Sequence, residues 1–255
     1  MNDKAQMVKQ CLEFSHKISD TICNYLVGSG ITTKELQKIL SLPREEIDKI
    51  SIEIAQGYLQ LIPNSVVQAK QQLQQYFLEV FNLKLNLSKI VFPQKNGFDT
   101  FMAVPPLVKL NEDQIIAAFV KKWDINTYKY LSPVAKKINR DAEHKNQPRP
   151  KGLYVFSHRG GDEPDAENLG KSYDDAMVAG YPFANAREYL LITGFHKFIN
   201  DKFMDKKGWT RTSSLWSDGE LVIGDGDVSG GGLRLSSGHR DSHNPDFGSR
   251  ELFLA

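Results

Sequence analysis

Residues 224–249 read GDGDVSGGGLRLSSGHRDSHNPDFGS and contain no Lys, Glu, Gln, Met or Trp. The rest of the chain is rich in these types, and all 23 lysines lie at or before Lys207. In their place stand seven glycines, five serines and four aspartates, with Arg234, His239, Arg240, His243 and Asn244 among them. An Asn codon whose adenines are freely replaced can encode every residue type in this stretch. It cannot encode Lys, Glu, Gln, Met or Trp. The alphabet therefore fits adenine-directed mutagenesis, which points to a surface made to vary and hence to binding. A pair of ordinary Gly/Ser/Asp-rich loops would have a similar composition, because these residues favour turns.

Around this stretch the apolar residues fall into short runs. Leu221 and Ile223, Leu233 and Leu235, and Leu252 and Leu254 each have the period of two of a half-exposed strand. Each pair is expected to face the core, with Arg234 and Ser236 turned away from it. Upstream, Ala184 to Phe203 predicts a helix whose apolar face carries Leu190, Leu191, Phe195, Phe198, Ile199 and Phe203. Asp174 to Val178 suits a short helix before Gly180, and Leu153-Tyr154-Val155-Phe156 a short buried strand. The expected order is strand, helix, helix, then several strands, an α+β domain over 153–255.

The earlier part of the chain is expected to be a mainly helical region, 1–135. Met7, Cys11, Phe14, Ile18, Ile22 and Leu26 form one apolar stripe, and Thr32 with Glu35 fits a capping box. A further stripe runs through Ile47, Ile50, Ile54 and Leu59. Two such short helices resemble a helix-turn-helix, which leaves a DNA-binding or regulatory protein with a C-terminal sensor domain as the alternative function. The would-be recognition helix begins PREEIDKISIE, and its acidic residues would repel phosphates. Residues 66–82 predict another helix, Ile90 to Phe92 a short strand, Phe98 to Leu107 an extended segment, and Asn111 caps a helix through Lys122. The polar stretch 136–152, with two prolines, is the expected linker.

Residues 152–255 resemble the variable proteins of diversity-generating retroelements. The resemblance rests on Leu153-Tyr154-Val155-Phe156 followed by Arg159, and on Ser172 to Gly180 leading into Arg187-Glu188-Tyr189-Leu190-Leu191. It continues through Ser217-Asp218-Gly219, Leu233-Arg234-Leu235, Asn244-Pro245-Asp246 and Ser249-Arg250-Glu251, with the restricted alphabet between them. Such proteins have C-type-lectin-like folds that display variable residues from late strands and loops. The resemblance thus implies a non-enzymatic, ligand-recognising surface formed by Trp216, Asp225, Asp227, Ser229, Arg234, Ser236, His239, Arg240, Asp241, Ser242, His243 and Asn244. Trp216 and Phe247 flank the segment; Phe247 is expected in the core, and Trp216 suits the core and the surface equally.

Other chemistry is less well supported. His239 and His243 have helical ligand spacing, but Gly238 and Pro245 oppose a helix, and a Gly-rich loop gives metal ligands little second-layer support. Neither a metal nor an organic cofactor is expected. Asp225-Gly226-Asp227 lacks the terminal Glu of a 12-residue calcium loop. Ser237, His239, Asp241 and Ser242 are near in sequence, which does not make a triad. GDGDVSGGG lacks the lysine and following helix of a phosphate loop. Asp162 to Glu167 is expected to pair with Arg159, although a carboxylate pair for hydrolysis could also sit there.

The chain has 255 residues, 40% hydrophobic and 25% charged, enough for a substantial core, and its net charge of +1 gives no electrostatic support for nucleic acid as partner. The expected partner is a protein or other macromolecular ligand, with homo-oligomerisation through the N-terminal region left open. The polar start MNDKAQMVKQ and the lack of a long apolar run predict a cytoplasmic protein without membrane segment. Cys11 and Cys23, about 18 Å apart along one helix, are expected to be reduced.

Overall fold

The computed structural model describes residues 66–125, 133–226 and 232–254. The chain divides after Pro63, and every described residue belongs to the second unit, Asn64–Ala255. The N-terminal stripes, the capping box at Thr32, the helix-turn-helix pattern, both cysteines, Asp227 and Ser229 lie outside the described residues.

The described residues form a mixed α+β unit of six α-helices, one 3-10 turn and two sheets. Its elements are α1 (Val66–Phe81), β1 (Thr100–Val104), α2 (Glu112–Trp123), α3 (Val134–Lys137), α4 (Arg140–Asn146) and β2 (Tyr154–His158). The 3-10 turn Ala166–Asn168, α5 (Tyr173–Ala179) and α6 (Ala186–Asn200) follow. Strands β3 (Trp209–Leu215), β4 (Leu221–Gly226), β5 (Leu233–Gly238), β6 (Phe247–Ser249) and β7 (Leu252–Leu254) complete it. Among the described residues no helix is long and apolar enough to cross a membrane. The segment Ile90 to Phe92, expected as a strand, pairs with nothing regular and runs as a loop.

The helix boundaries follow local chemistry. Asn111, Ser172 and Asn185 each accept a hydrogen bond from the third residue of their helix, while Gln114, Asp175 and Glu188 bond back to the cap. Gly180 ends α5 in the left-handed conformation that glycine adopts without strain. On α1 the buried residues Ala69, Leu73, Tyr76, Phe77 and Val80 recur at helical spacing and make one apolar face. Helix α6 is buried on all sides from Ala186 to Phe195. A Cβ at Gly194 would lie 2.1 Å from the Phe119 ring, so a glycine there lets α2 cross α6 closely.

One sheet has the order β1-β2-β7, all antiparallel. Its pairing of Phe156 with Leu254 joins the beginning and end of the segment that contains everything from β2 to β7. The other has the order β5-β4-β3-β6, antiparallel except for the parallel β3–β6 pair. Leu221, Ile223, Leu233, Leu235 and Leu252 are all buried, and Leu254 partly so.

The four-stranded sheet buries apolar residues on both faces, which differs from the half-exposed sheet expected from sequence. Ile223 stands opposite Ser236 and Gly224 opposite Leu235, and directly opposed residues point to the same side. Leu221 and Ile223 therefore share a face with Arg234 and Ser236, not with Leu233 and Leu235. They pack with Tyr173, Ala176, Phe183 and Leu215 beneath α5. Leu233, Leu235 and Val222 join the large core around α6 and α1.

The stretch 136–152 is not a spacer in this structure. It holds α4, and Arg140 pairs with the buried Glu112 at 2.6 Å. Arg149 pairs with the fully buried Glu188 at 2.8 Å, and the Tyr154 hydroxyl donates to the same carboxylate at 2.7 Å. Residues 66–125 likewise share a single apolar core with 153–254, so the boundary at 135 separates no layers among the described residues. Polarity of sequence misled here because these charged groups are satisfied by long-range partners rather than by water.

Candidate recognition surface

Strand β5 and the loop after it carry most of the expected display residues. Leu233 and Leu235 are buried, Arg234 is half-buried, and Ser236 and Ser237 are exposed. His239, Arg240, Asp241, His243 and Asn244 are exposed, and Ser242 is intermediate. These positions form one continuous run of chain at the edge of the four-stranded sheet, where β5 has a neighbour on one side only among the described residues.

The loop is held chiefly through its main chain. The Tyr173 amide donates to the Arg240 carbonyl at 2.9 Å, tying the loop to the start of α5. Arg211 on β3 donates to the Ser242 carbonyl at 2.8 Å, to the Asn244 carbonyl at 3.5 Å, and to the Phe247 carbonyl. The Trp209 amide donates to the Asp246 carbonyl at 3.0 Å. Each of these contacts uses a loop carbonyl, which any residue supplies. Asn244 and Ser242 are exceptions: the Asn244 side-chain oxygen accepts from the Asp246 amide at 2.9 Å and the Ser242 hydroxyl oxygen from the Asn244 amide at 3.4 Å, which shapes the turn into β6.

Arg211 is 1% exposed and its guanidinium faces carbonyls rather than a carboxylate. Burial pushes its pKa down to about 10, which leaves it charged at neutral pH. It also lies 5.2 Å from the Phe247 ring. A buried cation that gathers three carbonyls acts as a clamp on the loop.

The loop's side chains meet α5 only at the surface. Arg240 pairs with Asp174 at 2.5 Å and lies over the Tyr173 ring at 4.9 Å, and His243 pairs with Asp175 at 2.9 Å. All four partners are about half exposed. Hydrogen bonds from the Ser172 amide hold the Asp175 carboxyl below its ordinary range, with His243 a smaller contributor. Exposed pairs of this kind are screened by solvent and add little to stability.

Beside the loop, Arg234 lies 4.8 Å over the Trp209 ring, and the Trp209 and Phe247 rings are 5.9 Å apart. Arg234, Trp209, Phe247 and Arg211 thus alternate cation, ring, ring and cation across the sheet. Trp209 and Phe247 are partly exposed, so Phe247, expected in the core, is only partly covered.

Two expected display residues lie elsewhere. Trp216 is 8% exposed, belongs to the large core, and its indole donates to the Ser236 carbonyl at 3.3 Å. It supports β5 from within rather than meeting a ligand. Asp225 is 5% exposed and accepts from Arg234 Nε at 2.9 Å, directly across β4 and β5. Its turn-like Asp-Gly context suggested exposure, whereas it lies within β4. Conversely, Arg211, Trp209, Asp174 and Asp175 border the site without having been read as part of it. Nothing local in Trp209-Thr210-Arg211-Thr212 signals that an arginine will reach a distant loop.

Arg159 pairs with Asp165 at 3.1 Å, Glu167 at 2.7 Å and Glu251 at 3.0 Å, whereas Asp162 of the same acidic run pairs with Lys202 and Glu163 accepts from the Gly208 amide at 3.1 Å. Among the described residues no group of three His, Cys, Asp or Glu side chains is placed to hold a metal ion. No protein-family model matches the chain, and neither a curated protein nor a solved structure matches it.

Proposed function

We propose that the chain is a recognition protein whose loop 239–244 and the neighbouring outward residues of β5 bind a macromolecular ligand. In this reading it is the variable protein of a diversity-generating retroelement, with a C-type-lectin-like domain from β2 to β7. The observation that carries the reading is the division of labour within the loop. Its path is set by carbonyls bound to Arg211 and the Tyr173 amide, while the side chains of His239, Arg240, Asp241 and His243 remain exposed. A loop built in this way keeps its shape while its side chains change. The restricted alphabet of 224–249 is then the trace of that change.

Three further features agree with a lectin-like domain. Strands β2 and β7 bring the ends of the segment together, two helices follow β2, and a second sheet carries the display loop. The Arg234–Trp209 stack supplies a rigid aromatic edge beside adaptable Ser and His side chains, a combination suited to binding varied partners.

The decisive test is the DNA around the gene. A reverse transcriptase gene is expected nearby, with a repeat nearly identical to the codons for 224–249 and differing only where the repeat has adenine. A neighbourhood with neither, sequenced to completion, would remove the retroelement reading. Independently, a library randomised at Ser236, His239, Arg240, Asp241, Ser242 and His243 should yield folded binders to unrelated proteins.

A further inference from the structure

Asparagine followed by glycine occurs once in the chain, at Asn96-Gly97. Lys95 to Phe98 form a tight turn, closed by a hydrogen bond from the Phe98 amide to the Lys95 carbonyl at 2.9 Å. Asn96 and Gly97 stand exposed at its tip. Gly97 has φ +77°, the left-handed region that glycine enters without strain, and a Cβ there would meet nothing within 4 Å. Neither the Gly97 amide nor the Asn96 side chain has a hydrogen-bond partner among the described residues. The Gly97 nitrogen thus follows a carboxamide directly, with no side chain to shield it and no bond to hold it.

The chain's two Asp-Gly steps are built differently. The Gly219 amide donates to the Trp216 carbonyl at 3.0 Å, and Asp218 Oδ1 accepts from the Glu220 amide at 3.1 Å. Asp225 is 5% exposed, and the Gly226 amide donates to the Asp205 carbonyl at 3.1 Å. Asparagines elsewhere are occupied: Asn111, Asn139 and Asn185 cap helices, and Asn244 precedes Pro245, which has no amide hydrogen. Among these steps, only Asn96-Gly97 leaves both reacting groups free.

We propose that Asn96 is a site of spontaneous modification, converting to aspartate and isoaspartate through a cyclic imide. Hydroxide removes the Gly97 amide proton, and the nitrogen attacks Asn96 Cγ. The new C–N bond closes a five-membered succinimide ring as the Cγ–Nδ2 bond breaks and ammonia leaves. Water then opens the ring at either carbonyl, giving aspartate or, with one more carbon in the main chain, isoaspartate. Water is the only reagent consumed, and no redox partner is needed. The product places a carboxylate next to Lys95, whose Nζ lies 2.9 Å from Glu251 and 4.2 Å from the Phe98 ring centre. The longer main chain of isoaspartate would also break the turn that seats the buried Phe98 against Arg159 and Phe253. No display residue takes part, so the proposal does not rest on the retroelement reading.

The test ages the full chain, native and in denaturant, at neutral and mildly alkaline pH, and maps its peptides by mass spectrometry. The peptide holding residue 96 should gain one mass unit and split into two products, one of them labelled by an isoaspartate-specific methyltransferase. Its rate in the native protein should approach that in the denatured chain and rise with hydroxide. Asp218 and Asp225 should form isoaspartate only when denatured. Gly97→Ala should slow the change at Asn96 severalfold, because a Cβ then shields the attacking nitrogen. Asn96→Gln, at an exposed position where the fold tolerates substitution, should abolish it. Protection of Asn96 in the native chain but not the denatured one, faster conversion at Asn111, Asn139 or Asn185, or a product without isoaspartate would each overturn the proposal.

Discussion

Arg211 Nη2 lies 2.8 Å from the carbonyl oxygen of Ser242, thirty-one positions along the chain, and reaches the Asn244 and Phe247 carbonyls as well. A single buried guanidinium thus converts a glycine- and serine-rich stretch into a loop with a defined path. A neutral residue could not serve three acceptors at once.

Replacing Arg211 by Met should therefore loosen the loop more than it destabilises the fold. The lost charge-assisted hydrogen bonds would cost about 1.5–3 kcal/mol each, partly offset by removing a buried cation that has no carboxylate partner. Hydrogen exchange of the amides in 239–247 should accelerate strongly in this variant. Unchanged protection there would show that other contacts hold the loop.

The display side chains should be dispensable for folding. Alanine at Ser236, His239, Arg240, Asp241 or His243 is expected to change stability by no more than about 0.5 kcal/mol each. Leu233→Ala and Leu235→Ala, which empty core positions, should each cost about 2–5 kcal/mol. Denaturant melts compare the two sets, and a large loss from the polar set would show that the loop side chains carry the fold.

Not every position in the restricted stretch is open to change. A Cβ at Gly224 would lie 2.1 Å from the Tyr189 ring on α6. Gly224→Ala should destabilise the domain by about 1–3 kcal/mol through overpacking. Ser237→Ala, at an exposed position on β5, should be nearly neutral. Natural variants, if sequenced, should keep glycine at 224 while residues 239–243 differ.

His158 should make stability fall in acid. Its pKa drops from 6.5 to about 3 on folding, because burial opposes the charged ring. Above pH 6.5 the ring is neutral folded and unfolded, and its contribution is fully present. Below that the unfolded chain takes up a proton that the folded chain refuses until about pH 3, so stability is lost as pH falls across this window. The expected slope is about 1.4 kcal/mol per pH unit. It should appear as the difference between wild type and a folded His158→Phe variant in melts from pH 7 to 4. Parallel curves for the two proteins would refute the assignment.

By itself the sequence determined the capped helices and the apolar alternation of the late strands, but not the helix within 136–152 or the burial of Trp216 and Asp225. The capping pairs Asn111–Gln114, Ser172–Asp175 and Asn185–Glu188 work within one turn, and the alternation Leu233, Leu235 works within one strand. Such signals are local, so they survive in a linear reading. Only the tertiary structure decided which face each buried residue meets. Leu221 and Ile223 share a face with Arg234 and Ser236 because strand register, set between segments, places Ile223 opposite Ser236. The same holds for Trp216 beneath β5, for Arg149 on Glu188, and for Arg211 under the loop. A long polar side chain carries no period. Its partner is set by what folding brings within about 3 Å, where a buried charge must find hydrogen bonds or not be buried at all.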